Sequence, residues 1–257
     1  MTTSTRVVII TGAGNGIGRA TAQAFAAAGH HVVGWDLDQQ AGEALVAAIA
    51  DAGGSAEFAR VDVGSRASVE AAVARLIADH GRIDVLINNA GILRDAQLVK
   101  IKDGELVGKL SEQQFDEVIA VNLKGVFSCT QAVVPHMIAR RYGRIVSASS
   151  VVGLYGNFGQ TNYVAAKSGV IGMTRVWARE LGRHGITVNA VAPGFVATSM
   201  VEQMPARVLA EMVARTPVGR IGEPADIARA YLFLTDEAAG FINGAVLSVD
   251  GGMVVGT

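Results

Sequence analysis

The sequence is poor in cysteine, proline, aromatic residues and net charge. Its 257 residues include one cysteine and five prolines, aromatic residues make up 5%, and the formal charge is −1. Cys129 has no partner for an internal disulfide, and neither a C-x-x-C pair nor a His/Cys cluster predicts a structural zinc site. We therefore expect a reducing, cytoplasmic setting. The balanced charge disfavours a nucleic-acid partner, which calls for a basic excess.

Long hydrophobic runs and a targeting segment are also missing. Residues 1–6 are short and polar and lack the apolar stretch of a signal peptide. The mean hydropathy is +0.35. Nevertheless Pro, Gly, His and charged residues interrupt each apolar run before the ~18 residues that a membrane helix needs. We expect no membrane partner, and a chain that is 50% hydrophobic and buries a large core.

Short apolar runs alternate with helical segments along the whole chain. Seven runs predict strands: Val7–Thr11, His31–Trp35, Ala56–Val61, Ile83–Ile87, Arg144–Ala148, Ile186–Ala192 and Ala245–Val249. The intervening segments predict helices: Ala20–Ala28, Gln39–Ala52, Ser65–His80, Ser111–Ala139, Asn162–Arg183, a region after Thr198, and Pro224–Leu234. Unbroken apolar strands separated by helices indicate a parallel sheet covered on both faces. We predict a single domain, residues 1–257, with a doubly wound α/β fold of seven strands, whose ligands bind beyond the carboxyl ends of the strands.

A small β-hairpin insertion is predicted at about residues 97–109. Asp103-Gly104 is a two-residue turn signal between the segments 98–102 and 105–109. Its lysines offer contacts to an acidic acyl carrier protein or to coenzyme A phosphate. Solvated lysines on an edge strand are the alternative.

A glycine-rich segment follows the first predicted strand. It has the pattern T-G-x-x-x-G-x-G rather than G-x-G-x-x-G, because Ile17 occupies the third glycine position. Glycines at this place permit a tight turn and let the backbone approach a pyrophosphate at the N-terminus of the next helix. The segment predicts a nucleotide-binding loop, with a ligand-free βα turn as the alternative. The predicted contacts are Gly12, Asn15, Gly16, Ile17 and Gly18.

Asp36 lies at the end of the second predicted strand, 18 residues after Gly18. This is close to the spacing at which an acidic residue hydrogen-bonds the adenosine ribose. A carboxylate there would repel the extra phosphate of NADP, and neither Asn15 nor the adjacent Leu37 is a cation that would receive it. NAD is therefore the predicted cofactor. The alternative is an aspartate that only opens a turn.

Two further polar segments follow strands at the same edge of the predicted sheet. Asp62-Val63 follows the third strand, and Asn88-Asn89-Ala90-Gly91 ends the fourth. Either segment alone is typical of a turn. Their shared location indicates cofactor contacts at Asp62, Val63, Asn89, Ala90 and Gly91.

Tyr163 and Lys167 lie four residues apart in a predicted helix, so their side chains share one face. A phenol has an ordinary pKa near 10 and a nearby ammonium lowers it, so the pair predicts an acid/base system for a carbonyl and alcohol couple. Ser150 precedes Tyr163 by 13 residues and offers a hydroxyl to the same substrate oxygen. The neighbouring Ser149 is the alternative for that role.

Together these motifs resemble the classical short-chain dehydrogenase/reductase family over essentially the whole chain. The residues that carry the resemblance are Thr11–Gly18, Asp62-Val63, Asn88–Gly91, Asn122, Ser150, Tyr163, Lys167, Pro193-Gly194 and Val249-Asp250-Gly251-Gly252. The similarity to bacterial 3-oxoacyl-thioester reductases, which commonly use NADPH, is especially close at 160–167 and 217–227. The resemblance implies a Rossmann fold, hydride transfer at nicotinamide C4, and a homotetramer.

The resemblance also implies roles for single residues. Tyr163 would be the general acid/base, and Lys167 would bind the nicotinamide ribose and lower the pKa of Tyr163. Ser150 would orient and polarise the substrate oxygen, while Asn122 would hold a water in the proton relay. The residues implied around the nicotinamide are Pro193, Gly194, Val196 and Thr198.

Apolar residues near these motifs predict an apolar small-molecule substrate. The expected substrate contacts are Ser150, Val152, Tyr155 and Tyr163. Further wall residues are expected at Leu154, Phe158, Met200, Met204 and Val208. No cation precedes Arg207 in these stretches, which disfavours a tightly held carboxylate. The five histidines are scattered, and none is predicted to bind a metal.

The function predicted from these observations is an NAD-dependent oxidoreductase that interconverts a secondary alcohol and a ketone. The first alternative is a reductase or dehydrogenase for 3-oxoacyl-(acyl-carrier-protein) or 3-hydroxyacyl-CoA substrates, with a hydroxysteroid-like dehydrogenase beside it. The second alternative is a non-enzymatic NAD-sensing module. A sensor would not need a proton relay, so the catalytic set argues against it.

Overall fold

The computed structural model describes residues 5–197 and 206–254. Its main sheet has seven strands, all parallel, in the order β3-β2-β1-β4-β7-β8-β9. The strands are β1 Val7–Thr11, β2 His31–Asp36, β3 Ser55–Arg60, β4 Val85–Asn88, β7 Gly143–Ala148, β8 Ile186–Pro193 and β9 Val246–Val249. The predicted doubly wound, Rossmann-type fold is confirmed. Each predicted strand boundary lies within two residues of the observed one.

Helices cover both faces of the sheet. They are α1 Gly16–Ala27, α2 Gln39–Asp51, α3 Arg66–His80, α4 Glu112–Ile119, α5 Val126–Arg140, α6 Val152–Tyr155, α7 Thr161–Leu181, α8 Ala206–Ala214 and α9 Pro224–Thr235. Local signals explain several helix ends. Ser65 caps α3 by accepting from the Ser68 N–H, and Gly81 ends that helix in the left-handed conformation at φ 67°.

The core divides into two apolar layers, one on each face of the sheet. On one face, alternate residues of the central strands pack against α3, α5 and α7. On the other, the remaining strand residues pack against α1, α2 and α9, with Phe25, Leu45 and Tyr231 almost fully buried. Parallel strands buried on both faces give the continuous apolar runs seen in the sequence. Loops at the carboxyl ends of the strands are thereby held on a rigid base.

The segment between β4 and α4 forms a separate two-stranded antiparallel sheet. Its strands are β5 Val99–Lys102 and β6 Glu105–Lys109, joined at Asp103 and Gly104. Both turn residues have positive φ, 53° and 83°, as a type I′ turn requires. The large apolar side chains of this hairpin remain more than half exposed: Leu98, Val99, Ile101, Leu106 and Val107.

The long helix predicted over 111–139 is continuous from 112 to 140 but contains a π-helical turn, Ala120–Gly125. Gly125 and Pro135 lie inside this helical run and do not interrupt it. The sequence had led us to expect that glycine and proline would interrupt each apolar run. By length and composition alone, this run is long and apolar enough to cross a membrane. Buried helices of water-soluble proteins meet the same criteria, so the finding does not assign the chain to a membrane.

Candidate active site

The glycine-rich segment lies between β1 and α1 and is braced by the end of β4. Gly12 has φ +66°, which favours glycine, and a Cβ on Gly18 would collide with the Gly12 carbonyl oxygen. The Thr11 hydroxyl accepts from the Asn89 and Ala90 N–H groups at 3.0 and 2.9 Å. In turn, Asn89 Nδ2 donates to the Thr11 carbonyl at 3.1 Å. Asn89 thus fixes the loop.

The N-terminus of α1 is open for an anion. The helix begins at Gly16, and Asn15 precedes it in an extended conformation. Within the residues that the structure describes, Asn15 makes no side-chain capping bond and the first turn of α1 carries no acidic residue. The N–H groups of the first turn therefore have no intrahelical acceptor, and the positive end of the helix dipole is unopposed. This arrangement fits a pyrophosphate.

Asp36 ends β2 with its carboxylate fixed by three backbone groups. Oδ2 accepts from the Gly14 N–H at 2.9 Å, while Oδ1 accepts from Leu37 and Asp38 at 2.7 and 3.1 Å. The aspartate thus does organise a turn, as the alternative interpretation held. It also lines a cavity of about 390 Å³ beside the glycine loop, so the turn contacts leave the predicted contact with an adenosine ribose open to it.

We call this cavity the Asp36 groove. Its lining includes predicted cofactor contacts from the ends of four neighbouring strands: Gly12, Asn15, Gly16, Ile17, Asp36, Leu37, Asp62, Val63, Asn89, Ala90 and Gly91. Gly18 lies beneath the glycine loop, where its lack of a side chain lets Gly12 approach. Asp62 is exposed and accepts from the Gly64 N–H at 2.9 Å. The topology brings these residues together because all four strands point the same way.

A second cavity, of about 520 Å³, adjoins the groove and is the reaction-side cavity. The two share Ile17, Asn89, Gly91 and Ile92. Beyond these, the reaction-side cavity is lined by residues that include Ser150, Val152, Tyr163, Lys167, Pro193, Gly194 and Val196. A ligand that fills both spaces would therefore pass from Asp36 to Tyr163.

Tyr163 lies near the start of α7 and lines the reaction-side cavity together with Ser150. Burial, with a smaller contribution from the negative charge of Asp95, raises the pKa of Tyr163 to about 12, and the Ser150 hydroxyl acts in the opposite direction. The sequence interpretation had this pKa lowered by Lys167. In this structure burial dominates, so the phenol is protonated at neutral pH.

Lys167 is buried one helical turn beyond Tyr163. Its ammonium donates to the Ala148 carbonyl at 2.7 Å and lies 5.5 Å from the centroid of the Tyr163 ring. Burial lowers the pKa of Lys167 to about 8. The ammonium thus retains its charge at neutral pH, close to the tyrosine.

Ser149 and Ser150 differ in what their hydroxyls contact. Ser149 is buried and donates to the Lys167 carbonyl at 3.0 Å. Ser150 lines the reaction-side cavity with Tyr163, and its hydroxyl accepts weakly from the Val152 N–H at 3.3 Å. The geometry therefore favours Ser150 as the serine that meets a substrate oxygen, with Ser149 anchoring α7.

Asn122 lies in the π-helical turn and is fully buried. Its Oδ1 accepts from the Ile92 N–H at 2.8 Å, and its Nδ2 donates to the Ile92 carbonyl at 2.9 Å. Both side-chain polar atoms are thus used to hold the segment after β4. A relay water at Asn122 would have to bind the backbone of the π-helical turn, where hydrogen bonding departs from the α-helical pattern.

Comparison with known proteins agrees with this geometry. A family model described as enoyl-(acyl carrier protein) reductase matches residues 12–254. The chain belongs to the short-chain dehydrogenase/reductase family. It is therefore an oxidoreductase, and the family binds a nicotinamide dinucleotide. The open α1 N-terminus, the close approach at Gly18 and the Asp36 carboxylate fit that group.

Curated relatives cover nearly the whole chain. The 3-oxoacyl-(acyl-carrier-protein) reductase FabG of Thermotoga maritima is 46% identical over 97% of this chain and 98% of its own. The (2S)-((R)-hydroxy(phenyl)methyl)succinyl-CoA dehydrogenase subunit BbsD of Thauera aromatica is 46% identical over 96% of each chain. The short-chain reductase protein NovJ of Streptomyces niveus is 45% identical over 96% and 93%. The predicted kinship with 3-oxoacyl-thioester reductases is confirmed.

The expected substrate wall is only partly assembled. Val152 lines the reaction-side cavity, whereas Tyr155 lines an adjacent depression of about 390 Å³. Leu154 does not line either space, and Phe158 is 80% exposed beside the hairpin. Gly156, with φ 82°, turns the chain before Phe158 and directs it away. Thr198, Met200 and Met204 lie outside the described residues, as does the side chain of Val208.

Sequence reasoning missed several residues at the site. Met212 of α8 lines the reaction-side cavity, and Arg215 lines the adjacent depression with Tyr155. Asp95 acts on Tyr163 through its charge. Thr11 belongs to the glycine-rich motif, but the sequence alone does not reveal that its hydroxyl braces the loop. That contact depends on the pairing of β1 with β4. The sequence offers one weak signal for Arg215, which is that a cation directly follows an amphipathic helix.

Proposed function

We propose that the protein is an NAD-dependent enzyme that interconverts a secondary alcohol and a ketone. The observation that carries the proposal is the grouping of Ser150, Tyr163 and Lys167 in one cavity, which is continuous with the groove that ends at Asp36. A nicotinamide dinucleotide held along the groove by the glycine-rich loop, Asp36 and Lys167 would supply the hydride acceptor and donor for this interconversion. The remaining chemistry belongs to the side chains of this chain.

Proton transfer is the task of Tyr163. At neutral pH its phenol is protonated and can donate to the oxygen of a ketone as that oxygen becomes an alkoxide. Ser150 orients the same oxygen with its hydroxyl. When the phenolate forms, the nearby Lys167 ammonium stabilises it. In the alcohol-oxidising direction the phenolate must form first, so Lys167 assists that direction most.

Preference for NAD rests on Asp36. Its carboxylate is held in place by three N–H groups and would repel a 2′-phosphate. One cation, Arg60, lies opposite Asp36 on β3, and its Nε donates to the Leu37 carbonyl at 3.2 Å. Asp36 is among the residues that line the groove and Arg60 is not, so the fixed carboxylate lies closer to the groove than the guanidinium does.

An acyl thioester is the second candidate for the substrate class. The FabG relative is named for a 3-oxoacyl group on a carrier protein, and BbsD for a hydroxylated succinyl-CoA. In this chain Arg215 stands at the depression beside the reaction-side cavity. A guanidinium there suits a thioester's phosphate-bearing arm.

One screen separates the candidates. Purified protein is assayed with ketones, secondary alcohols, 3-oxoacyl-CoA and 3-oxoacyl carrier-protein thioesters, each with NAD(H) and NADP(H). We expect turnover with NAD(H) on an apolar ketone or a thioester. Faster turnover with NADPH would overturn the cofactor assignment. Cofactor binding without turnover of any substrate would favour the sensing module.

Two expectations about the setting remain part of the proposal. We propose a homotetramer in which α4, α5 and α7 pack across subunits, and a reducing cytoplasmic location, since the single Cys129 is buried. Sedimentation velocity tests the first. We propose that the exposed hairpin lysines Lys100, Lys102 and Lys109 are solvated. Turnover of a carrier-protein thioester in the screen would instead favour a contact between these lysines and the carrier protein.

A further inference from the structure

The amino end of the sheet brings together three side chains that are far apart in the sequence. His31 begins β2, Glu57 lies on the neighbouring edge strand β3, and His80 is the last residue of α3. One ligand atom from each lies within 4.8 Å of the other two. This His31–Glu57–His80 cluster is at the opposite end of β2 from Asp36.

The two imidazoles converge on one carboxylate oxygen. His80 Nε2 is 3.0 Å from Glu57 Oε1, and His31 Nε2 is 4.0 Å from the same atom. The two rings lie with their centroids 4.7 Å apart. In a tetrahedral zinc site with bonds of about 2.0–2.1 Å, neighbouring ligand atoms are about 3.3 Å apart. Changes of at most about 1.5 Å in the distances between these ligand atoms would therefore close the cluster around one ion.

His31 is oriented for such a contact. Its Nδ1 is paired with the Ser55 hydroxyl at 2.7 Å, and its buried Nε2 has no hydrogen-bond partner among the described residues. A second-shell bond at one ring nitrogen is the usual way in which a ligating histidine is held for a metal at the other.

The cluster is also reachable from solvent. The His31, Glu57 and His80 side chains are 19%, 42% and 24% exposed. An ion therefore has an entry path, and a water can complete the coordination. Imidazole ligands select zinc and similar transition metals over magnesium and calcium.

We propose that His31, Glu57 and His80 form a binding site for one zinc-like divalent cation, which ties the edge strand β3 to β2 and to the end of α3. This site lies apart from the proposed reaction and does not depend on it. Its expected effect is on stability, because binding to the folded state alone raises the free energy of unfolding.

The test uses tag-free full-length protein, stripped with a chelator, and Zn²⁺ alone. Equilibrium dialysis is expected to find one Zn²⁺ per chain, with affinity reduced at least 10-fold in His80→Gln and in Glu57→Gln. His184→Gln removes a histidine from a different part of the surface and is the matched control, expected to bind as wild type. Cobalt replaces zinc for spectroscopy, and visible d–d bands are expected in wild type but not in His80→Gln.

Thermal unfolding gives an independent readout. Zn²⁺ at about 100 times its Kd is expected to raise the Tm of wild type by about 5–10 °C and that of His80→Gln by little. Mg²⁺ is expected to have no effect. Absence of stoichiometric zinc in wild type, or equal binding by wild type and His80→Gln, would refute the site. Unchanged circular dichroism of both variants shows that any loss is local.

Discussion

The two ends of the parallel sheet use buried polar groups in opposite ways. At the amino end, Asp84 is fully buried and accepts from the Val7 N–H and from Nε and Nη2 of Arg82. At the carboxyl end, Lys167 is buried and Tyr163 is partly buried, and both line a cavity. Asp84 is thus satisfied by the protein itself, whereas Tyr163 and Lys167 face a space that a ligand can enter.

The two ends differ in how a buried polar group affects the free energy of folding. A buried charge that meets a fixed partner supports the fold, and removing its partner destabilises the protein. A buried ammonium whose contact is one carbonyl oxygen, as in Lys167, costs free energy of folding until it meets its cofactor or a phenolate. Variants at the two ends should therefore separate catalysis from stability.

The largest effect is expected from Tyr163→Phe. Loss of the phenolic proton donor should lower kcat by about 10³-fold, within the range for general acid–base catalysis, while the Kd for NADH changes little. Stopped-assay kinetics on the substrate from the screen and fluorescence titration with NADH measure the two quantities. Tyr142→Phe, at the amino end, is the control and should keep its kcat. A near-wild-type kcat for Tyr163→Phe would refute the proposed mechanism.

Lys167→Met should reveal the folding cost of the buried ammonium. In the folded protein Lys167 loses its proton near pH 8 rather than at its ordinary 10.5, so between these values the unfolded chain binds more protons and the wild type gains stability as pH rises. The interval corresponds to about 3 kcal/mol. Relative to wild type, Lys167→Met should therefore be more stable at pH 7 than at pH 10.

Urea denaturation at both pH values measures this difference. Lys109→Met, on the exposed hairpin, should track wild type at both. A Lys167→Met difference that is the same at pH 7 and pH 10 would show that the ammonium is not desolvated.

Asp84→Asn should lower stability without affecting catalysis. The variant keeps the side-chain volume but deprives Arg82 of its carboxylate and weakens the bond to Val7, at a cost of about 2 kcal/mol. Thermal unfolding should show a lower Tm, and kcat measured well below that Tm should match wild type. Asp79→Asn removes an exposed carboxylate and should change Tm by about 1 °C or less. Loss of kcat in Asp84→Asn would break the division between the two ends.

The smallest of the four effects is expected at Asp36. Asp36→Asn should reduce the NAD over NADP ratio of kcat/KM by about 10-fold, because the repulsion of a 2′-phosphate is removed. Asp38→Asn is the control, because Asp38 lies only two residues further along the chain. Its side chain can still accept the capping bond from Ala41, and the ratio should be unchanged. If Arg60→Gln lowers NADP use as strongly as Asp36→Asn raises it, both side chains set the preference.

Sequence reasoning recovered most of the fold because parallel strands read as plain apolar runs. Val7–Thr11, His31–Trp35 and Ile186–Ala192 were placed within a residue of β1, β2 and β8. The π-helical turn at Ala120–Gly125 was not predicted, since its residues continue the helical pattern of α4 and α5. The hydrophobic periodicity of a helix does not reveal whether its backbone hydrogen bonds follow the α-helical or the π-helical register.

The candidate site was predictable where chain spacing alone places residues together. Tyr163 and Lys167 follow from helix periodicity, and the strand ends follow from parallel topology. The raised pKa of Tyr163 was missed because burial depends on everything packed around the ring. His31, Glu57 and His80 were missed as a cluster, since their approach requires the β2 and β3 register and the exact end of α3 to be known.

The order of strands in the sheet also governs how the nascent chain acquires structure. β2 is the first strand that becomes available to pair with β1, whereas the other edge of β1 cannot pair until β4 is made, where Val8 lies opposite Val85. At roughly 5–20 residues per second, that edge stays unpaired for roughly 4–15 s on the ribosome. The residues that line the Asp36 groove are therefore synthesised before β7, β8 and α7, which carry much of the reaction-side cavity.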